Sequence, residues 1–174
     1  MLCAAALLTA LEIVLNRFCS INTSGLKIGF SFVPMVLCAM LMGPWWGAAA
    51  YALADFVGAI LFPIGPYFPG FTVMAAASGM TYGLLLGRPE QRRFFPNMLC
   101  AALIVCVGIG LFVNTFWVSL LYGSKTYWGW FMYRLTTQYA VMIPVQCVLI
   151  PVVKRLCEIL EKAGVLPGEK RRRA

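Results

Sequence analysis

Residues 43–71 read GPWWGAAAYALADFVGAILFPIGPYFPGF. Between Pro44 and Pro63 a single residue, Asp55, carries a charge. A run of that length and apolarity approaches the roughly 20 residues that carry a helix across a bilayer. Gly43-Pro44 marks its start, because proline is pre-organised for the first helical turn. Its end is the turn at 61–71, with three prolines, two glycines and four aromatics and no charge. A connection between helices in water is normally polar. This one is rigid and apolar, as suits a wall held at the edge of a hydrophobic medium.

Composition extends that reading to the whole chain. The 174 residues are 61% hydrophobic and 11% charged, with a mean hydropathy of +0.84. Soluble domains carry about a quarter charged residues, and one small core could not hide this much apolar surface. The expected class is an all-α integral membrane protein in one domain over 1–163, followed by a basic, disordered tail at 164–174. Helices are expected near 2–17, 28–43, 45–62, 70–87, 97–121 and 131–153, the last continuing toward 163. The first segment lacks the positive start and small-residue cleavage site of a signal peptide and holds Glu12, so it reads as a membrane helix.

Six crossings put both termini on one side, and basic residues choose the side. Arg88, Arg92 and Arg93 lie in one loop on that face, and Lys154, Arg155, Lys162, Lys170, Arg171, Arg172 and Arg173 lie near the C-terminus. The termini are therefore expected in the cytoplasm. Arg17, Lys27, Lys125 and Arg134 fall in the opposite half, against this trend. Two readings stand for them: snorkelling to outer headgroups, or a cationic site for an anionic solute.

Several chemistries are absent. There is no histidine, and the seven cysteines show no CxxC spacing, so neither a metal site nor a disulfide framework is expected. No GxxxxGK[ST] loop is present for ATP, and no nucleophile stands beside a base, so an enzyme is not expected. The basic tail reads as a topology and lipid-contact segment with no nucleic-acid partner.

The polar groups inside the apolar runs are few: Glu12, Asn16, Asp55, Asn114 and Gln138. Asp55 needs an ion pair with Arg17 or Arg134, a proton, or donors on a ligand. Asn114 has Trp117 at i+3 on about the same helical face. A carboxylate and an amide beside aromatic rings suit the edge and faces of a flat heterocycle. Interhelical bonding is the other reading for Asn114, and an interfacial belt for Trp117. Small residues recur at four-residue spacing: Ala6 and Ala10; Ala50, Ala54 and Gly58; Ala75, Gly79 and Gly83. Such faces let helices approach closely, or receive a partner.

The stretch from LNRFCSINTSGLKIGF through the Ala54-Asp55 pair to LFPIGPYFPG resembles one family. It is similar to the folate-specific substrate-binding (S) components of energy-coupling factor vitamin transporters. NTFWVSLLYG at 114–123 and the arginine of YRL at 133–135 share the likeness, which covers essentially the full chain. The resemblance implies a six-helix S-component fold with a pocket on the outer side. It also implies a complex with a transmembrane coupling subunit and two ATPase subunits, with no cofactor in this chain. Ala6 and Ala10 best match the helix face that meets the coupling subunit. For folate, Asp55 and Asn114 would take the pterin edge, and Phe30, Tyr67, Phe68, Phe71 and Trp117 the apolar walls. Arg17, Lys27 and Arg134 would take the glutamate carboxylates. Competing readings are an S component for riboflavin, thiamine or a queuosine precursor, and a stand-alone proton-coupled carrier using Glu12 and Asp55.

Overall fold

The computed structural model describes residues 2–23, 26–63, 67–87, 94–122 and 126–162, with the backbone alone at 21–23, 26–28, 122, 161 and 162. The tail, Lys125, the arginines of loop 88–93 and the centre of the proline-rich turn, Ile64-Gly65-Pro66, lie outside the described residues.

The chain runs through α1 (Leu2–Arg17), β1 (Ile21–Thr23), β2 (Leu26–Ile28), α2 (Phe32–Met42), α3 (Pro44–Leu61) and α4 (Pro69–Leu86). Two longer helical runs follow, each interrupted by π-helical turns. The first is α5 (Phe94–Leu103), π1 (Ile104–Val113) and α6 (Asn114–Tyr122); the second is α7 (Tyr127–Arg134), π2 (Leu135–Tyr139) and α8 (Ala140–Lys162). Their stretches Phe94–Leu121, of 28 residues, and Tyr127–Leu160, of 34, are long and apolar enough to cross a membrane.

The second helix starts at Phe32, not near 28, because Leu26–Ile28 pairs antiparallel with Ile21–Thr23, Ile21 opposite Ile28 and Asn22 opposite Lys27. β-Branched Ile21, Thr23 and Ile28 favour this extended pairing. Gly29 closes its base, since a Cβ there would lie 2.6 Å from the Ser20 Cβ. Helix α5 starts before Pro96 rather than after it. Proline is tolerated in a first turn, where the missing N–H has no helical partner to lose. Pro144 and Pro151 lie inside α8 without ending it.

Gly43 alone separates α2 from α3. Its φ of 93° is left-handed backbone that favours glycine, and its N–H donates to Ala39 while its carbonyl accepts from Gly47, each at 3.0 Å. The chain thus reverses within one residue. Helices α3 and α4 then lie antiparallel, with Pro44 opposite Gly83, Gly47 opposite Gly79 and Asp55 opposite Thr72. The first two rungs are backbone on backbone. A Cβ on Gly79 would fall 2.3 Å from the Gly47 carbonyl oxygen, and one on Gly83 2.3 Å from the Pro44 Cα. The small-residue spacing on these helices is therefore internal packing.

Helix α2 is the centre of the core. Every residue from Pro34 to Leu41 is buried, and α1, α3, α4 and α8 surround it. At 11 residues it spans about 16 Å, half a bilayer, and its apolar character on all sides fits enclosure by protein. The outer surface is the reverse of a soluble protein's: Leu7, Leu53, Val73, Leu84, Leu120 and Val148 are all exposed.

Candidate functional site

The C-terminal ends of α1 and α3, the start of α4, and α6 converge at one end of the bundle. Phe18 after α1 packs edge-on against Phe62 after α3, with ring centroids 5.3 Å apart. Phe68, just before α4, lies 4.7 Å from Trp117 of α6. The opposite end holds the Pro44–Gly83 contact and the Lys154 ammonium, 4.5 Å from the centre of the Phe94 ring. Most residues singled out in the sequence gather at the first end.

Asp55 is half-buried on α3. Its Oδ2 accepts a 2.9 Å hydrogen bond from the Thr72 hydroxyl of α4, and Thr72 is 3.1 Å from the Tyr67 hydroxyl. Tyr67 packs edge-on against Phe56, one residue beyond Asp55, at 5.9 Å. Among the described residues neither Arg17 nor Arg134 pairs with this carboxylate. One side of it is thus held by a protein hydroxyl.

Arg17 closes α1 and lays its guanidinium on Gly58, one turn beyond Asp55. A Cβ at Gly58 would sit 3.1 Å from Arg17 Nε and 3.3 Å from an Nη. Its Nε is buried with no hydrogen-bond partner among the described residues. Glycine at 58 makes the seat, since only a bare backbone lets the planar cation lie so close. Lys27 stands on β2 opposite Asn22. Phe30, half exposed, gives its carbonyl to the Val33 N–H at the approach to α2.

The aromatic walls form one group. Phe68 meets Phe71 at 6.2 Å and Trp117 at 4.7 Å, and Trp117 meets Phe116 at 5.3 Å. Gly70 makes room for them, because a Cβ there would fall 2.5 Å from the Phe68 ring and 3.0 Å from the Trp117 indole. The Trp117 indole N–H is buried without a partner among the described residues. Asn114 opens α6 directly after π1. Its backbone N–H donates to Ile109, and no described residue hydrogen-bonds its half-buried side chain. Asn114 and Trp117 lie in regular α-helix, so their i, i+3 relation holds.

Arg134 is arranged differently. It is 2% exposed, and all three guanidinium nitrogens donate inside the protein: Nε to Gln138 at 3.1 Å, one Nη to Thr115 at 3.1 Å, the other to the Tyr139 hydroxyl at 3.2 Å. Gly110 of π1 leaves space for that hydroxyl, which would lie 2.5 Å from a Cβ. The cluster ties α6 and π1 to α7 and π2. Glu12 is fully buried on α1 and accepts from Asn16 Nδ2 at 2.6 Å. Ala6 and Ala10 lie on the exposed face of α1.

Sequence reasoning missed Thr72, Thr115 and Tyr139. Thr115 and Tyr139 had a usable signal: a cation inside an apolar run requires polar neighbours, and Tyr139 lies about one turn past Arg134. Thr72 had none.

Comparison with known proteins places the family and the fold. The family described as "ECF transporter, substrate-specific component" matches residues 1–154. The folate transporter FolT of Clostridium novyi (strain NT) is 34% identical over 156 residues, covering 90% of this chain and 88% of the relative. FolT of Leuconostoc mesenteroides subsp. mesenteroides is 30% identical over 145 residues, covering 81% and 77%. A crystal structure of FolT bound with folic acid superposes with a TM-score of 0.81 at 32% identity, covering 90% of this chain and 95% of that one. The chain belongs to the family of substrate-specific components of energy-coupling factor (ECF) transporters.

Proposed function

We propose that this chain is the membrane-embedded folate-binding subunit of an ECF-type uptake transporter, capturing folate outside the cell and handing it inward with a coupling module. The observation that carries the reading is its likeness over nearly its whole length to a folate-bound relative. The site chemistry supports it. Folate has a flat pterin rich in N–H and amino donors, a benzoyl linker and a glutamate tail with two carboxylates. Asp55 and Asn114 offer acceptors for the pterin edge, and Phe68, Phe71 and Trp117 offer faces, with Tyr67 and Phe30 beside the mouth. Arg17 and Lys27 are the cations for the tail, where an arginine fork suits bidentate carboxylate binding. Arg134, its nitrogens already engaged, holds α6 in place for Asn114 and Trp117.

In the membrane the chain crosses six times, the half-length α2 sharing its crossing with the segment that leads into it, with termini and basic loop in the cytoplasm and the site on the outer half. The chain sits in a bacterial plasma membrane. The exposed Ala6–Ala10 face of α1 supports contact with the transmembrane coupling subunit. Two ATPase subunits hydrolyse ATP, since no phosphate-binding loop is present in this sequence.

The test is equilibrium binding to the purified full chain, read by tryptophan fluorescence with Trp117 as the near reporter. Folate is expected to saturate the signal, and riboflavin, thiamine and a queuosine precursor to leave it unchanged. Asp55→Ala removes a charged acceptor, and loss of a hydrogen bond to a charged group predicts about 10- to 100-fold weaker folate binding. A wild-type chain that ignores folate and binds one of the competitors would reassign the vitamin.

A further inference from the structure

Thr72 stands in the first turn of α4, and its hydroxyl is in contact with two groups of the site. A threonine hydroxyl carries one proton and two lone pairs. That proton goes to Asp55 Oδ2, at 2.9 Å. The 3.1 Å contact with Tyr67 must then have the tyrosine hydroxyl donating. The result is a directed chain, Tyr67 to Thr72 to Asp55, linking the segment before α4, α4 itself and α3. Hydrogen bonds in such a chain polarise one another, so the tyrosine strengthens the bond that threonine makes.

We infer that Thr72 is a positioning residue for the heterocycle end of the site, setting the plane of the Asp55 carboxylate. This rests on the folate-binding reading with Asp55 at the pterin edge. With one lone pair of Oδ2 taken, Oδ1 and the remaining pair of Oδ2 are presented together. That spacing suits a ligand with adjacent ring N–H and exocyclic amino donors. A carboxylate free to rotate would meet the same ligand at an ordering cost, and small errors of placement are expensive in a site of this kind. Thr72 acts through Asp55 and touches no ligand itself.

The experiment measures folate and pteroate affinity for full-length Thr72→Val, Thr72→Ser, Tyr67→Phe and the Thr72→Val/Tyr67→Phe double variant, each with its melting temperature. Valine keeps the shape and deletes the hydroxyl, while serine keeps the hydroxyl. Thr72→Val is expected to weaken both ligands about 10-fold, in line with a lost bond to a charged acceptor. Thr72→Ser should stay within about 3-fold of wild type. Tyr67→Phe should cost about 3-fold alone and nothing further on top of Thr72→Val, because the chain is already broken. A packing role would give no serine rescue and would lower the melting temperature instead. Thr72→Val binding within about 3-fold of wild type, or fully additive losses in the double variant, overturns the inference while wild-type folate binding stands. Tyr67→Phe removes only one hydroxyl at an exposed ring, so if Thr72→Val fails to fold, Tyr67→Phe binding both ligands as tightly as wild type overturns the inference. Absence of folate binding by the wild type removes the underlying reading, and this one with it.

Discussion

Arg17 and Arg134 are both arginines of mostly apolar helical runs, yet their nitrogens are used differently. Arg134 gives every nitrogen to a protein acceptor. Arg17 rests on Gly58 with a buried Nε that has no partner among the described residues. A buried donor without an acceptor costs about 1–3 kcal/mol, and an arriving dianion would return that cost. Gly58→Ala should push the guanidinium off its seat. Affinity for folate is expected to fall about 10-fold, while pteroate, which lacks the glutamate, binds as before. Equal losses for the two ligands would instead mean that the added methyl disturbs the packing of α1 on α3. At this scale the sequence was legible wherever a residue was costly. Asp55, Arg17 and Arg134 stood out because charge inside an apolar run needs a reason. Thr72 did not, since a threonine in a first helical turn is unremarkable chemistry until its neighbours across the fold are known.

The elements show the same division. Gly43-Pro44, the α3 span and the prolines flanking α4 were readable because glycine and proline act through local backbone geometry. The strand pair at 21–28 was not, since three-residue strands leave no periodic trace and their apolar residues continue the run that becomes α2. The π turns were equally silent, and they decide which faces of the two long runs meet, hence that Thr115 reaches Arg134. The antiparallel pair α3–α4 sets the site's geometry by its glycine rungs, which hold the two backbones together about two to three turns from the Asp55–Thr72 bond. Gly79→Ala would force a methyl to within 2.3 Å of the Gly47 carbonyl. Overpacking of this kind costs about 1–3 kcal/mol, so the melting temperature should fall by several degrees in gel filtration after heating. An unchanged melting curve would show that the helices can part there at no cost.

For the molecule as a whole, an apolar exterior with polar groups turned inward is the arrangement a bilayer selects. The stand-alone carrier reading asks two carboxylates, Glu12 and Asp55, to relay protons. Glu12 is fully buried and bonded to Asn16 within its own helix, while Asp55 is tied to Thr72 on another. Liposomes holding this chain alone should therefore bind labelled folate without accumulating it under a pH gradient. Accumulation is expected once the coupling subunit and ATPases are reconstituted with ATP inside the appropriate face. Uptake driven by the gradient alone would restore the carrier reading.

The one-residue reversal at Gly43 bears on how such a subunit can move. With a single residue joining two helices, there is no slack for one to slide past the other. The buried half-length helix and its long neighbour form a stiff crank, and tilting either swings both. Any reorientation of the protein must then turn the Asp55 carboxylate through the same arc as the corner at Gly43.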